Sequence, residues 1–220
     1  MESRILEMTQ SGHYDRSLIY SDAFVYEVVM RALYGRGYKQ RFRSVAELIR
    51  EGSSVLDVCC GPGTLFRRYL KTKGVHYTGL DINPHFVERL STEGATGLIW
   101  DLNVSRPLPQ AEYVVMQGSL YHFLPEPSRV IDRMIAAAEK QVLIAEPIHN
   151  MTNSQILPLA ALARKLTNPG TGDQPNRFNE ASLDVLMEQY RARGHNVQSR
   201  LIAGGREKLC IVGLRQGHLI

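Results

Sequence analysis

The chain has 220 residues, of which 44% are hydrophobic and 22% charged, and its formal net charge is +4. This length and composition suit the core of one globular domain, and no apolar run approaches the roughly 20 residues that span a bilayer. The first residues, MESRILEMTQSGHYDR, have neither a long apolar stretch nor a small-residue cleavage site, so we predict no signal peptide and a cytoplasmic location.

Cysteine spacing and charge distribution exclude several classes of function. The three cysteines include the adjacent pair Cys59 and Cys60, which does not resemble the disulfide framework of a secreted protein. Because neither CxxC spacing nor further ligands at zinc-site spacing occur, we predict no metal site. Glutamates are interleaved with the basic residues, which favours solvated helix faces over a nucleic-acid-binding surface.

The pattern along the chain is that of an α/β domain that follows an N-terminal helical segment. Two amphipathic stretches at about 21–34 and 40–51 predict helices, and we treat 1–50 as a helical cap. Short, nearly continuous apolar runs then alternate with helical patterns, which is typical of buried parallel strands joined by right-handed crossovers. The predicted strands are 54–59, 76–81, 97–101, 112–118 and 141–147, and the predicted helices between them are 63–73, 84–93 and 127–138.

The last third of the chain departs from this alternation. Residues 179–193 predict a helix that begins after Asn179 as N-cap and ends before Gly194. Two strand-like runs follow, at 196–203 and 207–215, and their short connection predicts a hairpin with an antiparallel last strand. The fold is therefore expected to be a doubly wound, mostly parallel sheet of seven strands. Residues 148–178 are expected to form an insertion that, with the cap, covers the carboxyl ends of the strands.

Three acidic residues surround a glycine-rich turn at successive predicted strand ends. Gly61-Pro62-Gly63 follows the first strand, where backbone N–H groups can approach a ligand and the next helix begins. Asp57 lies inside that strand, where it would repel a pyrophosphate but would suit a ligand that carries an ammonium group beside a carboxylate. Asp81 ends the second strand about 20 residues after the glycines, a spacing that suits ribose hydroxyls. Asp101 ends the third strand and could accept from an adenine amine.

With these residues, the succession VLDVCCGPG, GLDINP, WDL, VVMQGSLYHFLP and VLIAEP resembles the class I S-adenosylmethionine-dependent methyltransferases. The resemblance covers about residues 50–215, so 51–220 is expected to be a Rossmann-like methyltransferase domain. It implies S-adenosylmethionine as cofactor and S-adenosylhomocysteine as product. It also implies that Asp57 and the loop formed by Cys59, Cys60, Gly61 and Gly63 meet the methionine moiety of the cofactor.

The same resemblance assigns residues to the rest of the cofactor. Asp81 would hold the ribose and Ile82 would pack on the adenine, while Asp101 and Leu102 would meet the adenine edge and ring. Gln117, at the end of the fourth strand, would lie beside the sulfonium. Tyr14, in the N-terminal HYDR, resembles a tyrosine that many relatives place over the cofactor carboxylate.

Cys59 departs from the family pattern, which often has glycine at this position. A cysteine here leads us to expect negative φ and a small sulfur near the methionine portion of the cofactor. We therefore expect the substitution to tune cofactor affinity rather than abolish it.

The candidate catalytic residues follow the fourth and fifth strands. Tyr121 and His122 continue directly from the strand that would face the methyl group, and Glu146 ends the next strand. A general base is needed only if the acceptor must lose a proton. The alternatives are that His122 caps or packs the following helix and that Glu146 binds a backbone N–H group or a nearby arginine. Arg177 is a candidate partner for an acidic substrate, with a surface position as the alternative.

The predicted acceptor is a small molecule. The chain lacks the Asn/Asp-Pro-Pro-aromatic motif of amino-methylating DNA enzymes after the fourth strand, where it has Gly118-Ser119-Leu120-Tyr121. A methyltransferase that acts on RNA or on a protein or peptide, and a non-catalytic relative that binds the cofactor, stay open as alternatives. The acceptor atom, whether O, N or C, is not fixed by these residues.

Overall fold

The structure is a computed structural model, and it describes residues 37–148 and 177–214. The helix predicted at 21–34, nearly all of the insertion predicted at 148–178, and Tyr14 lie outside the described residues. The division of the chain into a cap, a domain and an insertion therefore stays a prediction.

The described residues form one seven-stranded sheet, as predicted. In spatial order its strands are β3-β2-β1-β4-β5-β7-β6. Strands β1 to β5 pair in parallel, whereas β7 lies antiparallel between β5 and β6. The bounds are β1 Ser54–Val58, β2 His76–Asp81, β3 Thr96–Ile99, β4 Ala111–Gln117, β5 Ala138–Pro147, β6 Asn196–Leu201 and β7 Glu207–Gly213.

Four α-helices are described, and each overlaps a predicted one. They are α1 Gly37–Ala46, α2 Pro84–Thr92, α3 Ser128–Ala137 and α4 Glu180–Ala192. The helix predicted at 63–73 is present as a continuous helical segment over 64–73, but only its first two residues are α-helical; Phe66–Leu70 is π-helical and Lys71–Lys73 is a 3-10 turn. A second 3-10 turn, Leu120–Phe123, follows β4.

Helix α4 has the predicted start and end. The Asn179 side chain accepts from the Ser182 backbone N–H at 2.8 Å, and the Ser182 hydroxyl accepts from the Asn179 N–H at 3.0 Å, which completes a capping box. Gly194, just past the end, has φ 87°, the left-handed conformation that glycine adopts readily after a helix.

The sheet is covered on both faces because its strands are apolar on both sides. Helices α3 and α4 bury Ile131, Met134 and Met187 against one face. Val45 of α1 and Leu90 of α2 belong to the core on the other face. Side chains alternate along each strand, so neighbouring strand residues enter different cores. The carboxyl ends of β1 to β5 consequently share one edge, and the antiparallel β7 brings its first residue, Glu207, to that edge beside Pro147.

Candidate active site

The loop after β1 has the backbone of a ligand-binding turn. Gly61 and Gly63 have φ values of 55° and 70°. A Cβ on Gly63 would lie 2.5 Å from Leu90 Cδ2, so the loop packs too closely on α2 to admit a side chain there. A Cβ on Gly61 would meet nothing within 4 Å. The inner side of the turn is therefore filled by protein, whereas space remains beside Gly61.

Cys59 has φ 58°, so the expectation of negative φ at this position is wrong. The loop keeps the left-handed backbone that a glycine at this position would adopt, although cysteine has a Cβ. The reason is the neighbouring geometry: the Cys60 N–H donates to Leu80 O at 3.0 Å, which fixes the path of the chain.

The two adjacent thiols pack on opposite faces of the sheet. Cys59 packs against the core beneath α3 and α4, and Cys60 packs against the other core. The Cys60 sulfur lies 2.8 Å from where a Cβ on Gly79 would be. Burial raises the pKa of both thiols well above the usual value, and nearby carboxylates raise it further. The thiols are therefore protonated packing groups near neutral pH rather than nucleophiles.

Asp81 ties the end of β2 to the glycine loop. Its Oδ2 accepts from the Gly61 N–H at 2.8 Å and its Oδ1 accepts from the Asn83 N–H at 2.9 Å. Burial raises the pKa of this carboxyl, while the backbone N–H groups of Asn83, Gly61 and Ile82 lower it. The Ile82 side chain is 49% exposed beside it. A carboxylate and an exposed apolar side chain thus meet at the open side of the turn.

Asp57 lies deeper, beneath the loop. It is 3% exposed, and its Oδ2 accepts from the Tyr77 hydroxyl at 2.5 Å. Burial raises the pKa of Asp57 to about 7, against the opposing effect of the Tyr77 hydrogen bond. The charge of this side chain therefore changes near neutral pH.

The end of β3 presents Asp101 on a turn. Its Oδ1 accepts from the backbone N–H and the side-chain amide of Asn103, at 2.8 and 3.0 Å. Leu102 is half-buried against the core. Trp100 directly precedes Asp101, and the guanidinium carbon of Arg106 lies 3.3 Å from the centroid of its ring. The buried Trp100 Nε1 has no partner among the described residues.

A buried ion pair between α1 and the first residue of β7 lies beside the end of β4. Arg41 of α1 is 4% exposed and Glu207 is 2% exposed, with Arg41 Nε 3.3 Å from Glu207 Oε1. Arg41 O accepts from the Gln117 side-chain amide at 3.1 Å, and Arg41 Nη2 lies 2.5 Å from where a Cβ on Gly118 would be. Sequence reasoning missed Arg41 and Glu207. The signal in the sequence that could have indicated a buried ion pair was an arginine on the apolar side of an amphipathic helix.

Glu146 holds the loop that follows β4. It is 0% exposed, and its two carboxyl oxygens accept from the backbone N–H groups of Leu120 and Tyr121 at 3.0 and 3.3 Å. Burial raises the pKa of Glu146 to about 8, although both N–H groups lower it. This geometry favours the alternative weighed from sequence, in which Glu146 binds backbone N–H groups.

Tyr121 and His122 form a cluster with Arg177. The ring centroids of Tyr121 and His122 lie 4.0 Å apart, and the Arg177 guanidinium carbon lies 4.0 Å from the centroid of the Tyr121 ring. Burial, with a contribution from the Arg177 charge, lowers the pKa of His122 to about 4. Its buried Nδ1 has no hydrogen-bond partner in the described part of the chain. At neutral pH this imidazole is uncharged.

The structure thus brings most of the predicted site residues to one edge of the sheet. Asp57, Asp81 and Glu146 are close enough to Cys59 for their charges to raise its pKa. Tyr14 lies outside the described residues. Within residues 37–148 and 177–214, no group of three or more metal-ligating side chains occurs. Over the same ranges, no helix has the length and hydrophobicity to cross a membrane.

Comparisons with known proteins agree with the fold. Residues 30–193 match the family described as "Methyltransferase domain". Magnesium protoporphyrin IX methyltransferase from Synechocystis PCC 6803, solved with bound S-adenosylhomocysteine, superposes with a TM-score of 0.63 at 16% identity, over 90% of this chain and 97% of that one.

Two further solved structures have the same fold. The putative methyltransferase in complex with the Haloferax volcanii Trm112 methyltransferase activator gives a TM-score of 0.65 at 14% identity, over 91% and 99% of the two chains. A TehB-like S-adenosylmethionine-dependent methyltransferase from Corynebacterium glutamicum gives 0.59 at 15% identity, over 89% and 98%. No curated protein matches the sequence. The chain therefore belongs to the methyltransferase domain family, and it is a class I S-adenosylmethionine-dependent methyltransferase.

Proposed function

We propose that the protein transfers a methyl group from S-adenosylmethionine to a small-molecule acceptor at the carboxyl edge of the sheet. The observation that carries the proposal is the Asp81 carboxylate, which joins the glycine loop to the end of β2. A carboxylate has about four acceptor positions; the Gly61 and Asn83 N–H groups take one on each oxygen, and the Ile82 N–H also interacts with the carboxyl. The remaining acceptor capacity, beside open space at Gly61, fits a ribose hydroxyl.

The other residues fit the remaining parts of the cofactor. Ile82 offers an exposed apolar surface to the adenine, and Asp101 with Leu102 would meet its edge and ring. Asp57 and the loop of Cys59, Cys60, Gly61 and Gly63 would face the methionine moiety, with Gln117 beside the sulfonium and Tyr14 at the carboxylate. When bound, the cofactor supplies a methyl group activated by a positive sulfur.

The residues after β4 would orient the acceptor. Much of the rate in such a displacement comes from alignment and exclusion of water, which can contribute roughly 7–11 kcal/mol. Glu146 fixes this loop through the N–H groups of Leu120 and Tyr121. With a pKa of about 4, His122 is a weak base at neutral pH. It suits a hydrogen bond to the acceptor better than removal of a tightly held proton.

A small-molecule acceptor is favoured over RNA or peptide. The protoporphyrin methyltransferase, as its name states, acts on a small molecule, and it shares the fold over 90% of this chain. We further propose that the cap (1–50) and the insertion (148–178) enclose the acceptor pocket. That arrangement would suit a small acceptor better than a polymer.

Calorimetric titration with S-adenosylhomocysteine tests the cofactor site. Asp81→Ala removes hydrogen bonds to a charged group, worth about 1.5–3 kcal/mol, and should raise Kd by roughly 10- to 150-fold. Glu88→Ala, at an exposed position on α2, is the matched control and should bind like the wild type. If the wild type binds neither S-adenosylmethionine nor S-adenosylhomocysteine, the proposed function is wrong.

A further inference from the structure

Arg177 is held firmly at the edge that carries the candidate acceptor residues. Its guanidinium lies over the Tyr121 ring, with 4.0 Å from the guanidinium carbon to the ring centroid. The next two residues are fixed as well: Phe178 is 6% exposed within the core, and Asn179 forms the capping box of α4. The guanidinium therefore rests on the Tyr121 ring, and the backbone that follows Arg177 is fixed by the core and by the α4 cap.

The charge of Arg177 is not neutralised by the described part of the chain. No hydrogen bond or ion pair joins it to a described residue, in contrast to Arg41, which pairs with Glu207. Among the described residues, those recorded as interacting with it are Tyr121, through its ring, and His122, whose pKa of about 4 leaves the imidazole uncharged. A half-buried cation beside neutral aromatic groups attracts an anion more strongly than a fully solvated one does.

The position of this cation relative to β4 connects it to the reaction. Glu146 binds the N–H of Tyr121, and the loop continues directly from Gln117, the residue that the proposed function puts beside the sulfonium. The buried Nδ1 of His122 has no partner among the described residues. A guanidinium and an unsatisfied imidazole nitrogen thus flank the same short turn.

We propose that Arg177 forms the subsite for a carboxylate on the methyl acceptor. A planar guanidinium binds a carboxylate through two parallel N–H···O bonds, and one positive charge that no described residue neutralises suits a monoanion. The acceptor is then a small carboxylic acid whose methylated atom lies toward Gln117. This inference rests on the proposed function, because that function places the methyl donor at Gln117.

The test is calorimetric titration of the S-adenosylhomocysteine complex with hydroxylated aliphatic and aromatic acids, each paired with its carboxamide. One such pair is 4-hydroxybenzoate and 4-hydroxybenzamide. At least one acid should bind the wild type about tenfold or more tightly than its amide, which corresponds to about 1.4 kcal/mol. Arg177→Gln should remove most of that preference and leave amide binding unchanged. Arg177→Lys keeps the charge without the planar fork and should retain a reduced preference.

Arg50→Gln is the matched control, because Arg50 is exposed and precedes β1 at the opposite end of the sheet; it should keep the full preference. If no acid is preferred over its amide, or if Arg177→Gln keeps the preference, the carboxylate subsite is wrong. A wild type that fails to bind S-adenosylhomocysteine would instead overturn the proposed function. A purely structural Arg177 would lower the melting temperature in both its variants without changing the ratio of acid to amide affinity.

Discussion

The left-handed backbone at Cys59 predicts an unusual order of stability among substitutions. Because Cys59 has φ 58°, any side chain with a Cβ is strained there by roughly 1–2 kcal/mol. Glycine avoids this strain, although it costs about 0.5–1 kcal/mol in the unfolded chain. Comparison of Cys59→Gly with Cys59→Ala removes the sulfur in both variants. The glycine variant should therefore have the higher free energy of unfolding, by up to about 1.5 kcal/mol.

Cys60 supplies the matched control, since it adjoins Cys59 and has no positive φ. There the order should reverse, with Cys60→Gly less stable than Cys60→Ala by about 0.5–1 kcal/mol. Urea denaturation of all four variants without cofactor measures both differences. If Cys59→Ala is more stable than Cys59→Gly by the same roughly 0.5–1 kcal/mol expected at position 60, the reasoning is refuted, because the backbone would then carry no strain.

Three further changes have defined outcomes. Asp57→Asn should flatten the stability profile between about pH 5 and 7. The Asp57 carboxyl keeps its proton to about pH 7 in the folded protein, whereas it loses the proton near pH 3.9 in the unfolded chain. The free energy of unfolding of the wild type should therefore fall as pH rises in this range, by at most about 1.4 kcal/mol per pH unit. Parallel pH profiles of wild type and variant in urea titrations would contradict this. Gly118→Ala should destabilise the protein, because φ is 62° and the left-handed strain of roughly 1–2 kcal/mol exceeds the about 0.5–1 kcal/mol gained when glycine leaves the unfolded chain. Its Cβ would also lie 2.5 Å from Arg41 Nη2, which would have to shift. A melting temperature equal to or above that of the wild type would argue against this strain. Asn179→Ala should cost about 1 kcal/mol in the free energy of unfolding through loss of the α4 cap, with Asn179→Ser as a variant that keeps the cap.

The sheet could be predicted because its signals are local. Apolar runs of five to seven residues marked β1, β2 and β4, and Asn179 with Gly194 marked the ends of α4. The helix expected at 63–73 occurs, but most of it is π-helical and 3-10. Helix propensity does not distinguish these hydrogen-bonding patterns from the α-helix.

The position of a candidate site residue was predictable where it belongs to a local sequence motif at a strand end. Asp81 lies beside the glycine loop as the motif implies. The φ of Cys59 was not predictable, because side-chain preference argued for the opposite sign and the fixed loop path overrides it. Arg41 and Glu207 are 166 positions apart in the sequence. They meet because the antiparallel β7 begins, rather than ends, at the functional edge.

Trp100, stacked against Arg106, makes the intrinsic fluorescence of the protein a probe of the end of β3. Trp100 is the single tryptophan of the chain, so its emission arises from one place, directly before the residues proposed to meet the adenine. A guanidinium lies against its ring, and its buried Nε1 has no partner among the described residues, so the emission should respond to a displacement at the end of β3. We therefore expect cofactor binding to change the fluorescence of the unlabelled protein, and this measurement needs no knowledge of the acceptor.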